Sequence, residues 1–221
     1  MRCLPRYSMA VWSVLMLLVG AAPAAGVQLG GRPAAEWVVS LESGQRLARI
    51  EVDRVVSMIG MQPGDVVADI GAGTGVFTVL MAKEVGPTGT VVPVEIDEGF
   101  MPIIMDKARE AGVENVAFVL GEFDDPKLPR RDIDIAFFHD VLHHVEHRQE
   151  YLRALAGYLA PGGRIVVVDY DMNVPGVPHF GDATMTISAE MVDGWMRNAG
   201  LTLNQKYEVF PDRFYLIYKK N

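Results

Sequence analysis

The stretch Asp69-Ile70-Gly71-Ala72-Gly73-Thr74-Gly75 constrains this chain more than any other. It follows the apolar run Val66-Val67-Ala68 and leads into Val76-Phe77-Thr78-Val79-Leu80. A buried strand therefore reaches an acid, turns through three glycines and starts a helix. Glycines suit such a turn where a ligand comes close to the backbone or where φ is positive. The strand, turn and helix together present a helix N-terminus to a nucleotide-like ligand. The spacing is G-x-G-x-G, whereas dinucleotide sites use G-x-G-x-x-G around a pyrophosphate. An acid two residues before the first glycine repels a pyrophosphate and suits a ligand with an ammonium group.

At 221 residues the chain has the length of one domain with a full core. Its net charge is −8 and it has no lysine-rich tail, which argues against a duplex nucleic-acid partner. The first residues differ from the rest. Arg2 and Arg6 precede the apolar run Met9–Val19, and Ala22-Pro23-Ala24 fits a small-x-small cleavage site. Residues 1–24 are therefore expected to be a secretory signal peptide, and the protein to be exported to the periplasm or secreted. An uncleaved membrane anchor is the alternative, with membrane contact through this segment alone. The one cysteine, Cys3, lies inside it.

Residues 25–44 contain glycine and proline and are expected to be an irregular linker with a lid-like part around Trp37. The main domain is expected over residues 45–221. Leu47, Val52, Val55, Val56 and Ile59 fall on one face of a helix over Gln45–Ile59. Strands are expected at Val66–Ile70, Thr90–Ile96, Val116–Leu120, Ile133–Phe138 and Arg164–Tyr170, with helices between them. Several of these strands lack a polar alternation, so both faces are covered, as in a parallel sheet. Ser188 caps a further helix running to Asn198. Leu203–Phe210 and Arg213–Lys219 are joined by Pro211-Asp212 alone, and so short a link requires an antiparallel hairpin.

Four motifs follow one another in order. Asp69–Gly75 comes first, then Val94-Glu95-Ile96-Asp97 at the end of the second strand. Gly121-Glu122-Phe123-Asp124, with Leu128-Pro129, follows the third. The fourth leads into Phe138-His139-Asp140-Val141-Leu142-His143-His144, and a later helix stops at Pro161-Gly162-Gly163. Together these resemble the class I S-adenosylmethionine-dependent methyltransferases of the small-molecule type. The resemblance implies an α/β, doubly wound Rossmann-like sheet of seven strands, mostly parallel with a C-terminal antiparallel hairpin. It implies methyl transfer with S-adenosylmethionine as co-substrate, and the mostly apolar loop Met172–Phe180 suggests a small, amphipathic or lipid-like acceptor.

By the same resemblance Asp69, Gly71, Ala72, Gly73, Gly75, Glu95, Glu122, Phe123 and His139 line the cofactor site. Glu95 is the ribose ligand, with Asp97 the alternative or else a helix cap. Glu122 stands where the family commonly has Asp, facing the adenine amino group. Phe123 either packs on the adenine or faces the core. His143 is the candidate general base, a role that suits a side chain titrating near neutrality. Packing beside the cofactor, or capping the next helix, is the alternative for His143 and His144. No metal site is expected, because adjacent histidines diverge and neither a carboxylate pair nor a cysteine joins them. A non-catalytic protein that binds or senses S-adenosylmethionine on the same fold is the alternative to an enzyme.

Overall fold

A computed structural model describes residues 31–220. The expected signal peptide lies outside the described residues. The described chain forms β1 (Val66–Ile70), β2 (Thr90–Glu95), β3 (Val119–Leu120), β4 (Ile133–His139), β5 (Leu159–Tyr170), β6 (Leu201–Tyr207) and β7 (Arg213–Lys220). They make one seven-stranded sheet in the order β3-β2-β1-β4-β5-β7-β6. The first five strands pair in parallel, and β7 lies antiparallel to both β5 and β6. This is the expected architecture. No described helix is long and apolar enough to cross a membrane.

Two apolar layers cover the sheet, and neighbouring residues of one strand serve different layers. Val67, Ile135, Phe137, Val166 and Val168 face α3 (Val52–Ile59), α4 (Val76–Val85) and α5 (Phe100–Glu110). Ala68, Ile70, Ala136, Phe138, Ile165 and Val167 face α6 (Arg148–Ala156) and α7 (Ala189–Asn198). All five residues of β1 are buried, which is why its sequence shows no polar alternation.

The structure departs from the sequence expectation in several places. Residues 34–41 are not irregular but form α1 (Ala34–Leu41), tied at its end to α5 by Glu42–Lys107 at 2.6 Å. The single helix expected over Gln45–Ile59 is two, α2 (Gly44–Ile50) and α3, broken at Glu51 with φ 45°. The break lets α2 bury Ile50 while Arg46 and Arg49 reach Asp140 and Tyr170 across the carboxyl edge of the sheet. The third strand is reduced to two paired residues plus a lone bridge from Val116 to Val91. An edge this short offers little backbone for a stray strand to pair with. β5 starts at Leu159 rather than Arg164, because a bulge carries Pro161-Gly162-Gly163 into the ladder. The hairpin link is longer than Pro211-Asp212, since Val209 and Phe210 leave the ladder to pack on the core.

The turn after β1 is the tightest place in the fold. Gly71, Gly73 and Gly75 all have positive φ, as the motif suggested. At Gly71 a Cβ would stand 2.5 Å from the Val141 side chain, and φ is 67°. No side chain fits there without moving the loop after β4. Gly71→Ala is expected to destabilise the fold by about 1–3 kcal/mol through overpacking and backbone strain. Urea denaturation of the variant beside the parent chain measures it.

Candidate functional site

The parallel strands end at one edge of the sheet, and the loops that follow them gather the predicted residues. Asp69 ends its strand almost fully buried, and its Oδ2 accepts from the Thr78 hydroxyl at 2.5 Å. Burial pushes its carboxyl up to about 7, against the Thr78 hydrogen bond that favours the anion. Glu95 ends β2 and reaches across to the glycine loop, where its Oε1 accepts from the Gly73 N–H at 2.6 Å. Its carboxyl also rises to about 7, chiefly through burial, with the negative charges of Asp69 and Asp97 adding to it. Glu95 thus stands beside Gly71, Ala72 and Gly73, whose loop is fastened by hydrogen bonds from Gly71 and Ala72 N–H to the Val94 carbonyl. Asp97 Oδ1 accepts from the Gly99 N–H at 2.9 Å, closing a turn just ahead of α5, whose N-cap Gly99 receives no side-chain cap.

His139 lies at the end of β4, buried against Phe77 with ring centroids 4.5 Å apart. Neither ring nitrogen has a hydrogen-bond partner among the described residues. Burial drives this imidazole down to about 4, so it is neutral at pH 7. The third-strand pair is placed differently. Glu122 is exposed and bound to Lys127 at 3.1 Å. Phe123 is 55% exposed, which removes the core alternative and leaves it on the surface beyond β3.

His143 sits in a single 3-10 turn, Leu142–His144, directly after β4. Its Nδ1 meets Asp169 Oδ1 at 2.6 Å, and its backbone N–H donates to Asp169 Oδ2 at 3.1 Å. Asp169 has no solvent exposure and also accepts from the Tyr170 N–H. One carboxylate therefore fixes both the backbone and the ring of His143. With Nδ1 held in this way, Nε2 is the nitrogen left to accept a proton. The sequence reading missed Asp169. Its signal was a lone acid in the otherwise apolar run Ile165–Tyr170.

The adjacent histidines do not diverge. The rings of His143 and His144 lie 3.9 Å apart between centroids. His179, from the loop between β5 and α7, brings its ring within 5.8 Å of His143 and 5.7 Å of His144. His144 is exposed as a residue, yet desolvation of its ring, then the neighbouring His143, pushes its imidazole down to about 4.

Beside these rings lies a charged floor that the sequence reading also missed. Arg213, the first residue of β7, is buried and donates to Asp140, Asp212 and the Tyr170 hydroxyl. Its guanidinium lies 4.0 Å from the Tyr170 ring centroid, and Arg49 donates to the same hydroxyl at 3.0 Å. For Asp140 burial opposes ionisation, but His139, Arg213 and Arg46 outweigh it and hold the carboxyl low. Its signal in the sequence was an arginine opening an apolar strand.

Comparison with known proteins bears on the family and the fold. Residues 61–208 match the family model of a methyltransferase domain. The chain is 34% identical over 124 residues to the ubiquinone/menaquinone biosynthesis C-methyltransferase UbiE of Ectopseudomonas mendocina, over 56% of this chain and 48% of that protein. It spans about half the length of the relatives it matches. The crystal structure of a SAM-dependent methyltransferase from Aquifex aeolicus superposes with a TM-score of 0.76 at 20% identity, over 86% of this chain and 100% of that one. The [4+2]-cyclase SpnF superposes at 0.67 with 19% identity, over 80% and 82% of the two chains. At such identities the two structures speak for the fold alone.

The raised carboxyls predict a pH dependence. Unfolded, Asp69 ionises near its ordinary value of 3.8, whereas folded it keeps its proton up to about 7. The stability it contributes is present below about 4 and is lost as pH rises through about 7. His139 and His144 titrate over the same window with the opposite sign, so the comparison needs a variant. Asp69→Asn, neutral at every pH, is expected to match the parent near pH 4. It should become more stable than the parent by on the order of a few kcal/mol at pH 8. Denaturant unfolding of both ligand-free proteins across that range tests it.

Proposed function

The chain belongs to the methyltransferase domain family, and on that premise we propose that it moves the methyl group of S-adenosylmethionine onto a small or amphipathic acceptor that must first lose a proton. The observation that carries this reading is the Asp169–His143 pair at 2.6 Å, set at the same sheet edge as the glycine loop.

The residues present fit the co-substrate. Three glycines with positive φ leave the loop backbone bare. Glu95 and Asp69 supply carboxylates for the ribose diol and a cationic end, and His139 offers two ring nitrogens without partners among the described residues. When bound, S-adenosylmethionine supplies a methyl group on a sulfonium whose departing thioether is neutral and needs no acid. The chain's work is then to hold the acceptor in line and to take its proton. His143 Nε2 accepts that proton, from a hydroxyl or an activated carbon, and Asp169 stabilises the resulting imidazolium. The acceptor's freed electron pair forms the new bond to the methyl carbon. Arg49, Arg46 and Tyr170 wall the acceptor side, with the loop over residues 171–187.

The UbiE relative is named for a C-methylation in quinone biosynthesis. That makes quinone precursors and small phenols the first acceptors to try. Calorimetry with S-adenosylmethionine is expected to show binding that Glu95→Ala weakens at least about tenfold. A screen with labelled methyl groups across lipids, quinones and phenols is expected to find an acceptor. His143→Ala should then slow turnover by about 10²–10⁴-fold, the range of a general base. Absence of binding sinks the proposal, whereas binding without turnover on any acceptor favours a sensor.

We further propose that the domain works outside the cytosol. Arg2 and Arg6, the run Met9–Val19 and Ala22-Pro23-Ala24 support this. Cell fractionation with N-terminal sequencing should find a mature chain starting near residue 25; an intact Met1 on soluble cytosolic protein overturns it.

A further inference from the structure

We infer that His143, His144 and His179 form a binding site for a divalent transition-metal ion of the zinc class. Each residue offers one ring nitrogen, and these nitrogens all lie within 4.8 Å of one another. A tetrahedral ion with metal–nitrogen bonds of about 2.0–2.1 Å needs them about 3.3–3.4 Å apart, so the rings must close by about an ångström or more. His144 and His179 are exposed, so their rings can close that gap without disturbing the core.

The second observation lies behind the first ligand. Asp169, fully buried, occupies His143 Nδ1 and so leaves Nε2 as the ring nitrogen for an ion. A carboxylate on the rear nitrogen of an imidazole fixes its tautomer and raises its basicity, which is how metal-bound histidines are commonly supported. The supporting backbone is also fastened. Arg148 donates to the carbonyls of Leu142 and His143 in the turn and to that of Thr184 in the opposite loop. That loop is closed at its neck by the Asp171–Ile187 bridge. His179 itself holds φ at 61°, in the left-handed region that non-glycine residues seldom enter and that gathers at ligand sites.

Ring stacking accounts for two adjacent histidines. It does not account for a third from another loop and a carboxylate on the first. Three neutral imidazoles select zinc, nickel or copper over magnesium or calcium, and they leave a fourth position open. An ion there takes the Nε2 lone pair that proton abstraction needs. Metal binding and base action therefore exclude one another at His143, and the site does not depend on the methyl-transfer reading.

Cobalt(II) titration of the full chain is the test, in a Cys3→Ser background that removes the chain's one thiol. The expected result is one ion per chain with the intense visible absorption of tetrahedral cobalt, displaced by zinc. His144→Ala and His179→Ala should each lose at least about tenfold in affinity. Asp169→Asn, which touches no ion, should lose about 10–100-fold. His147→Ala should bind as the parent does. Circular dichroism checks that each variant is folded. No cobalt binding by the folded parent overturns the site, and so does binding that survives in folded His144→Ala and His179→Ala.

Discussion

The fold depends on one place where side chains have no room. Between β1 and α4 the chain turns through Gly71 with the Val141 side chain pressed on it from the loop after β4. Leu41 of α1 approaches Gly73, and Ile104 of α5 approaches Gly75. Three elements distant in sequence therefore meet on one bare stretch of backbone. A Cβ at Gly71 would run into Val141 of the loop after β4, and one at Gly75 would crowd Ile104 of α5. The same bareness lets the Glu95 carboxylate come close enough to accept from the Gly73 N–H.

The charged groups near this loop are arranged by a second constraint. Asp69, Glu95, Asp97, His139, His143, Asp169 and Arg213 are all buried, and all stand at the sheet edge where the parallel strands end. Burial of that many polar groups is costly unless each is satisfied. Thr78, the Gly73 amide, the Gly99 amide, His143 and Asp140 satisfy five of them in turn. His139 is the exception, with both nitrogens unpartnered among the described residues. Asp69 and Glu95 hold carboxyls raised to about 7, a state that a cationic ligand would relieve. The edge carries these buried polar groups at some expense of stability, whereas the two apolar layers behind it hold the fold.

Much of this was legible in the sequence, for local reasons. β1 and β2 read as strands because they are apolar on both faces. The glycine spacing located the turn, and Ser188 marked the start of α7, where its side chain accepts from Met191 N–H. Glu95 was placed by its position at the end of β2. Other details were not legible. Glu51 carries no residue-type signal for the left-handed break that divides α2 from α3. Glu122 matched a motif by position, yet Lys127 holds its carboxylate at the surface. The adjacent histidines were expected to point apart, yet their rings lie 3.9 Å apart between centroids.

The sequence by itself determined the class of fold and the glycine turn after β1, because strand, turn and helix are written in periodicity and in glycines a few residues apart. Only the tertiary structure decided what stands beside His143 and Asp140. Asp169 meets His143 from 26 residues away, and Arg213 meets Asp140 from 73. His179 joins them from a loop with no periodicity at all. Such contacts follow from strand order: β5 lies beside β4, and β7 beside β5, so their ends converge. No local pattern encodes that convergence, since it arises only when the sheet is assembled.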